Sequence, residues 1–234
     1  KDALASNTTG VESTAVGYQA GFLNTTGRIT AMGRHALRSN TTAVENTGIG
    51  YRALRDTTTG AKNTAVGGDA LISNTTGYNN SAIGYASLYT NTTGYHNTAV
   101  GYYSLLTNST GLVNTAVGVA SLQSNTTGSN NVAVGADALI SNTTAQYSTA
   151  VGYQAGYNNT VSPRNTFIGP FAGYTYNNPS TSNAYNLCVG YAAGYSLTTG
   201  VGNNFIGGNA SGQFMTTGSQ NTIVGNFTGN SGGL

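Results

Sequence analysis

The sequence predicts an all-β protein: a parallel β-solenoid, or β-roll, of about thirteen 17-residue coils, associated with further copies as a fibre. Three observations predict it. A motif of Val, Ile or Met followed by Gly recurs at near-constant spacing. Gly, Asn and Thr supply 100 of the 234 residues, whereas Leu, Ile, Val and Phe supply only 43. Charged residues at equivalent repeat positions alternate in sign. So few large apolar groups cannot build a conventional core of this size. The net charge of +2 is too small for charge-driven disorder. Repetition is the remaining route to a fold.

The motif glycines are Gly17, Gly33, Gly50, Gly67, Gly84, Gly101, Gly118, Gly135, Gly152, Gly169, Gly190, Gly207 and Gly225. The steps are 16, eight of 17, then 21, 17 and 18. Residues 1–169 form the regular array. Residues 170–234 continue it with longer, less regular coils and a loop insertion near 176–183. Asp2-Ala3-Leu4 matches Asp69-Ala70-Leu71, so the chain is expected to be a piece of a longer array.

Seventeen residues is too short for a helical hairpin and suits two short extended segments joined by turns. Asn-Thr-Thr-Gly supplies a turn, because Gly and Asn tolerate positive φ. The segment around Asn-Thr-Ala-Val-Gly-Tyr supplies a strand. Stacked in register, each alignment column becomes a ladder of like residues about 4.8 Å apart. Thirteen coils then make a rod on the order of 60 Å long.

The columns fit this reading. Asn stands four residues before the motif glycine at Asn46, Asn63, Asn80, Asn97, Asn114 and beyond, a structural amide ladder. Five residues before it stand Glu12, Arg28, Glu45 and Lys62, alternating in sign. Two residues after it, Arg52 is followed one coil later by Asp69. Opposite neighbours of this kind are favoured across strands. Arg38 above Arg55 is the like-charge exception, which Asp56 can relieve.

Two apolar columns alternate along the strand and so face opposite sides. The Ala column, with Ala65, Ala99 and Ala133, becomes Phe167, Cys188, Phe205 and Ile223 in the last four coils. Apolar residues on both faces predict that one is buried against another chain. The Ala column, small enough for close approach, is assigned to that contact, with Cys188 as one of its packed residues.

Asn97-Thr98-Ala99-Val100-Gly101-Tyr102 resembles the head repeats of YadA-type trimeric autotransporter adhesins. The longer Asn-Thr-Thr-Gly-x-x-Asn-Thr-Ala-Val-Gly unit is similar to repeat shafts of phage tail fibres of the endosialidase-chaperone-associated type. Asn165-Thr166-Phe167-Ile168-Gly169 and Asn221-Thr222-Ile223-Val224-Gly225 look like the stretch nearest such a chaperone domain. The resemblance implies a parallel β-roll trimerised about a common axis. It also implies a viral structural role in host attachment at the virion surface, or an extracellular adhesin.

Enzyme chemistry finds little to use. His35 and His96 have no nucleophile elbow or metal-ligand spacing near them. Five of the six carboxylates precede residue 70, with no paired acid and base. No Gly-rich phosphate loop, metal, cofactor, membrane span or nucleic-acid footprint is expected. Asn7, Asn24, Asn74, Asn91, Asn125 and Asn142 open N-glycosylation sequons that double as turns. The surface beyond residue 70 is rich in Tyr, Asn and Thr, which suits sugars. Tyr157, Tyr174 and Tyr195 share a column. With Tyr176, Asn177 and Asn178 of the insertion, they are the candidate glycan contacts. The expected function is a noncatalytic fibre segment whose partners are its own copies and a host-surface glycan or receptor. The alternatives are a bacterial adhesin head and an ice-binding solenoid. Adjacent threonines such as Thr75-Thr76 point to opposite sides and disfavour the latter.

Overall fold

A computed structural model describes residues 2–208 and 210–228. The chain forms two compact units, Lys1–Asn114 and Thr115–Leu234. No helix occurs among the described residues. The first unit carries β1 (Thr14–Val16), β2 (Ile29–Met32), β3 (Asn46–Ile49), β4 (Thr64–Val66), β5 (Ser81–Ile83) and β6 (Thr98–Val100). The second carries β7 (Thr115–Val117), β8 (Val132–Val134), β9 (Thr149–Val151), β10 (Thr166–Ile168), β11 (Leu187–Val189), β12 (Asn204–Ile206) and β13 (Thr222–Val224).

Within each unit, strands pair in parallel with their neighbours in chain order. Ala65 lies opposite Ala82, and Ala82 opposite Ala99. Phe167 lies opposite Ala150 and Cys188, and Cys188 opposite Phe205. Each unit is therefore a parallel β-solenoid whose register is the sequence period. The 21-residue step keeps that register because residues 177–183 carry the added length outside the strand.

Only one of the two expected extended segments is a strand. The other is a run of linked turns. Residues two and four after the motif glycine are left-handed, as at Asp69 (φ 58°) and Leu71 (φ 50°). They curl the chain back over the strand within the short coil. The turns still bond from coil to coil: the Leu54 amide donates to the Ala70 carbonyl at 3.0 Å, and Leu71 to Ser87 at 3.0 Å. A left-handed leucine costs about 1–2 kcal/mol. Full burial of that side chain returns about 1.5–3 kcal/mol, so burial decides. Leu37, Leu54, Leu71, Leu88 and Leu105 are all 0% exposed.

The motif glycine is needed for close approach as well as conformation. Gly67 has φ +137°, and a Cβ on it would lie 2.5 Å from the Gly84 carbonyl oxygen of the next coil.

The Ala column is the core of the single chain, which corrects its assignment to the chain–chain contact. Ala65, Ala99, Ala133, Phe167, Cys188 and Phe205 are 0% exposed, facing the buried leucines. Ile223, near the chain end, is half-buried. The coil is too thin to hold more than an Ala opposite a Leu. Where Leu becomes Gly at Gly156, Gly173, Gly194 and Gly212, the strand residue grows. A Cβ on Gly156 or Gly173 would strike the Phe167 ring, and one on Gly212 the Phe205 ring. The column facing outward is instead Val/Ile/Met: Val16 is 59% exposed, Met32 43% and Ile83 45%.

This exchange of volume is testable. Phe167→Ala should destabilise the second unit by about 3–5 kcal/mol. Adding Gly156→Leu and Gly173→Leu should recover part of the loss, because leucine occupies the same left-handed position elsewhere. Chemical denaturation of the three proteins checks it. No recovery would mean the two columns do not share one space.

Candidate functional site

Two asparagine ladders hold the coils together. In the strand ladder, the Asn63 amide N–H donates to Asn46 Oδ1 at 2.8 Å, and Asn63 Nδ2 donates to the Gly77 carbonyl at 2.9 Å. Asn80 and Asn97 repeat the pattern. In the turn ladder, Asn91 Nδ2 donates to Asn74 Oδ1 at 2.9 Å and to the Gly94 carbonyl at 3.0 Å. Five of the six sequon asparagines named above, Asn24, Asn74, Asn91, Asn125 and Asn142, belong to this buried ladder. Their Nδ2 atoms bond Gly27, Gly77, Gly94, Gly128 and Ala145 carbonyls, so the folded chain has no room for a glycan there.

The first threonine of most Thr-Thr pairs is also committed. Thr75 Oγ1 donates to the Thr92 carbonyl at 3.1 Å, and Thr143 Oγ1 to the Thr160 carbonyl at 3.1 Å. These hydroxyls bond along the stack.

The charged columns lie along the first unit. Arg28 sits between Glu12 at 3.3 Å and Glu45 at 2.6 Å, with all three side chains well exposed. Exposed pairs of this kind contribute about 0–1 kcal/mol each. Lys62 makes no ion pair among the described residues. Arg52 holds Asp69 through two bonds, at 2.7 and 2.8 Å, and Asp69 is buried. Arg55 grips Asp56 at 2.6 Å, beside Arg38, which turns to Gln19 instead. His35 packs edge-on to Tyr18, and burial together with Arg34 and Arg38 lowers its imidazole pKa.

The tyrosine candidates divide. Tyr157 and Tyr174 stack at 5.0 Å, and Tyr174 and Tyr195 at 5.1 Å. Both faces of Tyr174 are thus covered by its neighbours, leaving ring edges to solvent. Tyr176 is fully buried and packs 5.9 Å from Phe167, which removes it from the candidate contacts. It stands 17 residues after Asn159, in the turn-ladder column, and Leu197 follows it there. Both are large because the coil interior widens beside Gly173 and Gly194. Burial raises its phenol pKa.

Asn177 and Asn178 do reach the surface, where they pin the insertion. Thr160 Oγ1 donates to Asn177 Oδ1 at 2.6 Å, and Asn178 Nδ2 donates to the Thr199 carbonyl at 2.8 Å. Cys188 lies in the core, and burial pushes its thiol up to about 12. No group of three or more His, Cys, Asp or Glu side chains able to hold a metal occurs among the described residues. No helix among them is long and apolar enough to cross a membrane.

Each unit also carries exposed apolar side chains on the outward face of its strands. In the first unit the outward Val/Ile/Met column runs beside exposed Tyr18, Tyr51, Tyr85 and Tyr102. In the second unit a like column holds Val117, Val151, Ile168 and Ile206, with exposed Tyr153 and Tyr191. The alternation of two apolar columns signalled one such face but not which. No family model, curated protein or solved structure matches this chain.

Removing one rung tests the amide ladder. Asn80→Ala leaves the Gly94 carbonyl without its side-chain donor and the Asn97 N–H without its acceptor, and should cost about 1–3 kcal/mol. Asn80→Asp should cost more: one carboxylate oxygen keeps the Asn97 N–H, but the other replaces a donor and faces the Gly94 carbonyl and Asn63 Oδ1. Thermal unfolding of both variants measures this, and an unchanged midpoint for Asn80→Asp would contradict the ladder.

Proposed function

We propose that this chain is a noncatalytic, homotrimeric segment of a viral tail fibre or surface adhesin that supports host attachment from the virion or cell surface. The observation that carries the reading is the exposed Val/Ile/Met column with its flanking tyrosines. A sheet face this apolar gains by burial against another surface. A second copy offers an identical column, and rotation about a shared axis brings like columns together and closes the assembly.

The remaining features support a structural role. The strand-ladder amides, the turn bonds and the Arg28 and Arg52 ion pairs run between coils, so they stiffen the stack. Lys and Arg, scarce beyond residue 70, leave few sites for basic-specific proteases. Surface hydroxyls and amides keep the segment hydrated at low charge. Attachment then depends on local departures from the repeat, of which the 177–183 insertion is the largest. The glycan contacts at Asn177 and Asn178 belong to this reading.

Light scattering on the purified chain should give about three times its mass of 23.8 kDa. Ile83→Asp combined with Val100→Asp should lower the assembled fraction at least tenfold while leaving the β-type circular dichroism intact. A monodisperse monomer for the parent chain would contradict the trimer.

A further inference from the structure

The insertion that breaks the repeat also builds a cavity. The cavity is an open cleft of about 380 Å³, the size of one or two sugar residues. Thr144, Gln146 and Tyr147 come from one coil, Arg164 from the next, and Thr181 and Asn183 from the insertion. Val161 and Pro163 complete the lining with apolar surface.

Arg164 is the chemically distinctive member. Its guanidinium carbon lies 5.6 Å from the Tyr147 ring centre and 5.7 Å from that of Tyr185. Nη1 donates to the Tyr185 hydroxyl at 2.7 Å, and Asn183 Nδ2 donates to the same oxygen at 3.1 Å. Two rings and a hydrogen bond thus fix the guanidinium, and Asn183 ties the insertion to that arrangement. Arg28, Arg52 and Arg55 each hold a carboxylate. Arg164 holds none among the described residues. The one carboxylate side chain from residue 115 onward is Asp137, which accepts a hydrogen bond from Gln154 at 3.2 Å.

We propose that Arg164 and the 177–183 insertion form a binding site for a carboxylate-bearing sugar. A held guanidinium presents paired donors matched to a carboxylate. Thr144, Gln146, Thr181 and Asn183 offer donors and acceptors for ring hydroxyls. Tyr147, 55% exposed, offers an apolar surface to the CH groups of the sugar. A single cation is too little for a nucleic-acid backbone, and a neutral sugar would leave the guanidinium unused. The site is separate from the Tyr157, Tyr174 and Tyr195 stack. The proposal rests on the attachment reading above for its biological sense, but not on the trimer.

The test uses the full chain, with glucuronate and glucose as probes in saturation-transfer NMR and titration. Glucuronate should bind at least tenfold more tightly than glucose. Arg164→Gln should weaken glucuronate binding at least tenfold, with partial retention in Arg164→Lys, which keeps charge but loses the fork. Raising ionic strength should weaken binding severalfold. Equal affinity for both sugars, or unchanged binding in Arg164→Gln with its fold intact by circular dichroism, would overturn the site. So would tighter binding of an acidic tripeptide than of glucuronate. Glucuronate binding without attachment of the chain to any cell surface would support the site and overturn the attachment reading instead.

Discussion

A buried amide needs partners for its donors and acceptor, and in the strand ladder of this protein it finds them in the adjacent coil. That constraint governs the rest. An unpaired buried amide costs about 1–3 kcal/mol in protein contexts. Asn63, Asn80 and Asn97 satisfy Oδ1 with the backbone N–H of the next ladder asparagine, and Nδ2 with a glycine carbonyl at the far turn. A slip of one residue would strand both atoms at every rung. The ladders therefore fix register more sharply than the small apolar core, which would tolerate several alignments.

Pitch and thinness follow from the same bonds. Coils held this close leave the motif glycine no space for a Cβ, and the interior no space beyond Ala against Leu. Where the second unit trades Leu for Gly, Phe167 and Phe205 refill the volume. The larger apolar residues that do not fit inside stand on the other face of the strand. The core thus specifies the surface: a coil too narrow for two rows of Val and Ile presents one of them outward.

Much of the fold was legible because the period is the register. The strand pairing, the asparagine ladder and the placement of Arg28 between Glu12 and Glu45 all follow from counting residues. What the count does not carry is direction. Ala99 and Val100 are both apolar, and alternation says only that they face opposite ways; coil width decides which is inside. The exchange of Ala for Phe opposite Leu-to-Gly changes, visible at Gly156 and Phe167, could have identified the core. Tyr176 looked like loop because the insertion follows it, yet it stands 17 residues after Asn159 in a buried column. The left-handed leucines were not legible, since no local preference of leucine predicts them; packing imposes them. Arg164 had a signal that was passed over: Tyr147 and Tyr185 occupy its own column one coil either side.

Hydrogen exchange of asparagine side-chain amides tests the central claim most directly. In protein carrying isotope-labelled asparagine, the Nδ2 protons of the ladder residues should survive in heavy water for hours, far longer than those of exposed Asn177. The same protection should appear at the backbone amides of Asn63, Asn80 and Asn97, which donate to side-chain oxygens. Side-chain amides that all exchange as fast as that of Asn177, in a chain whose circular dichroism remains β-type, would contradict the account.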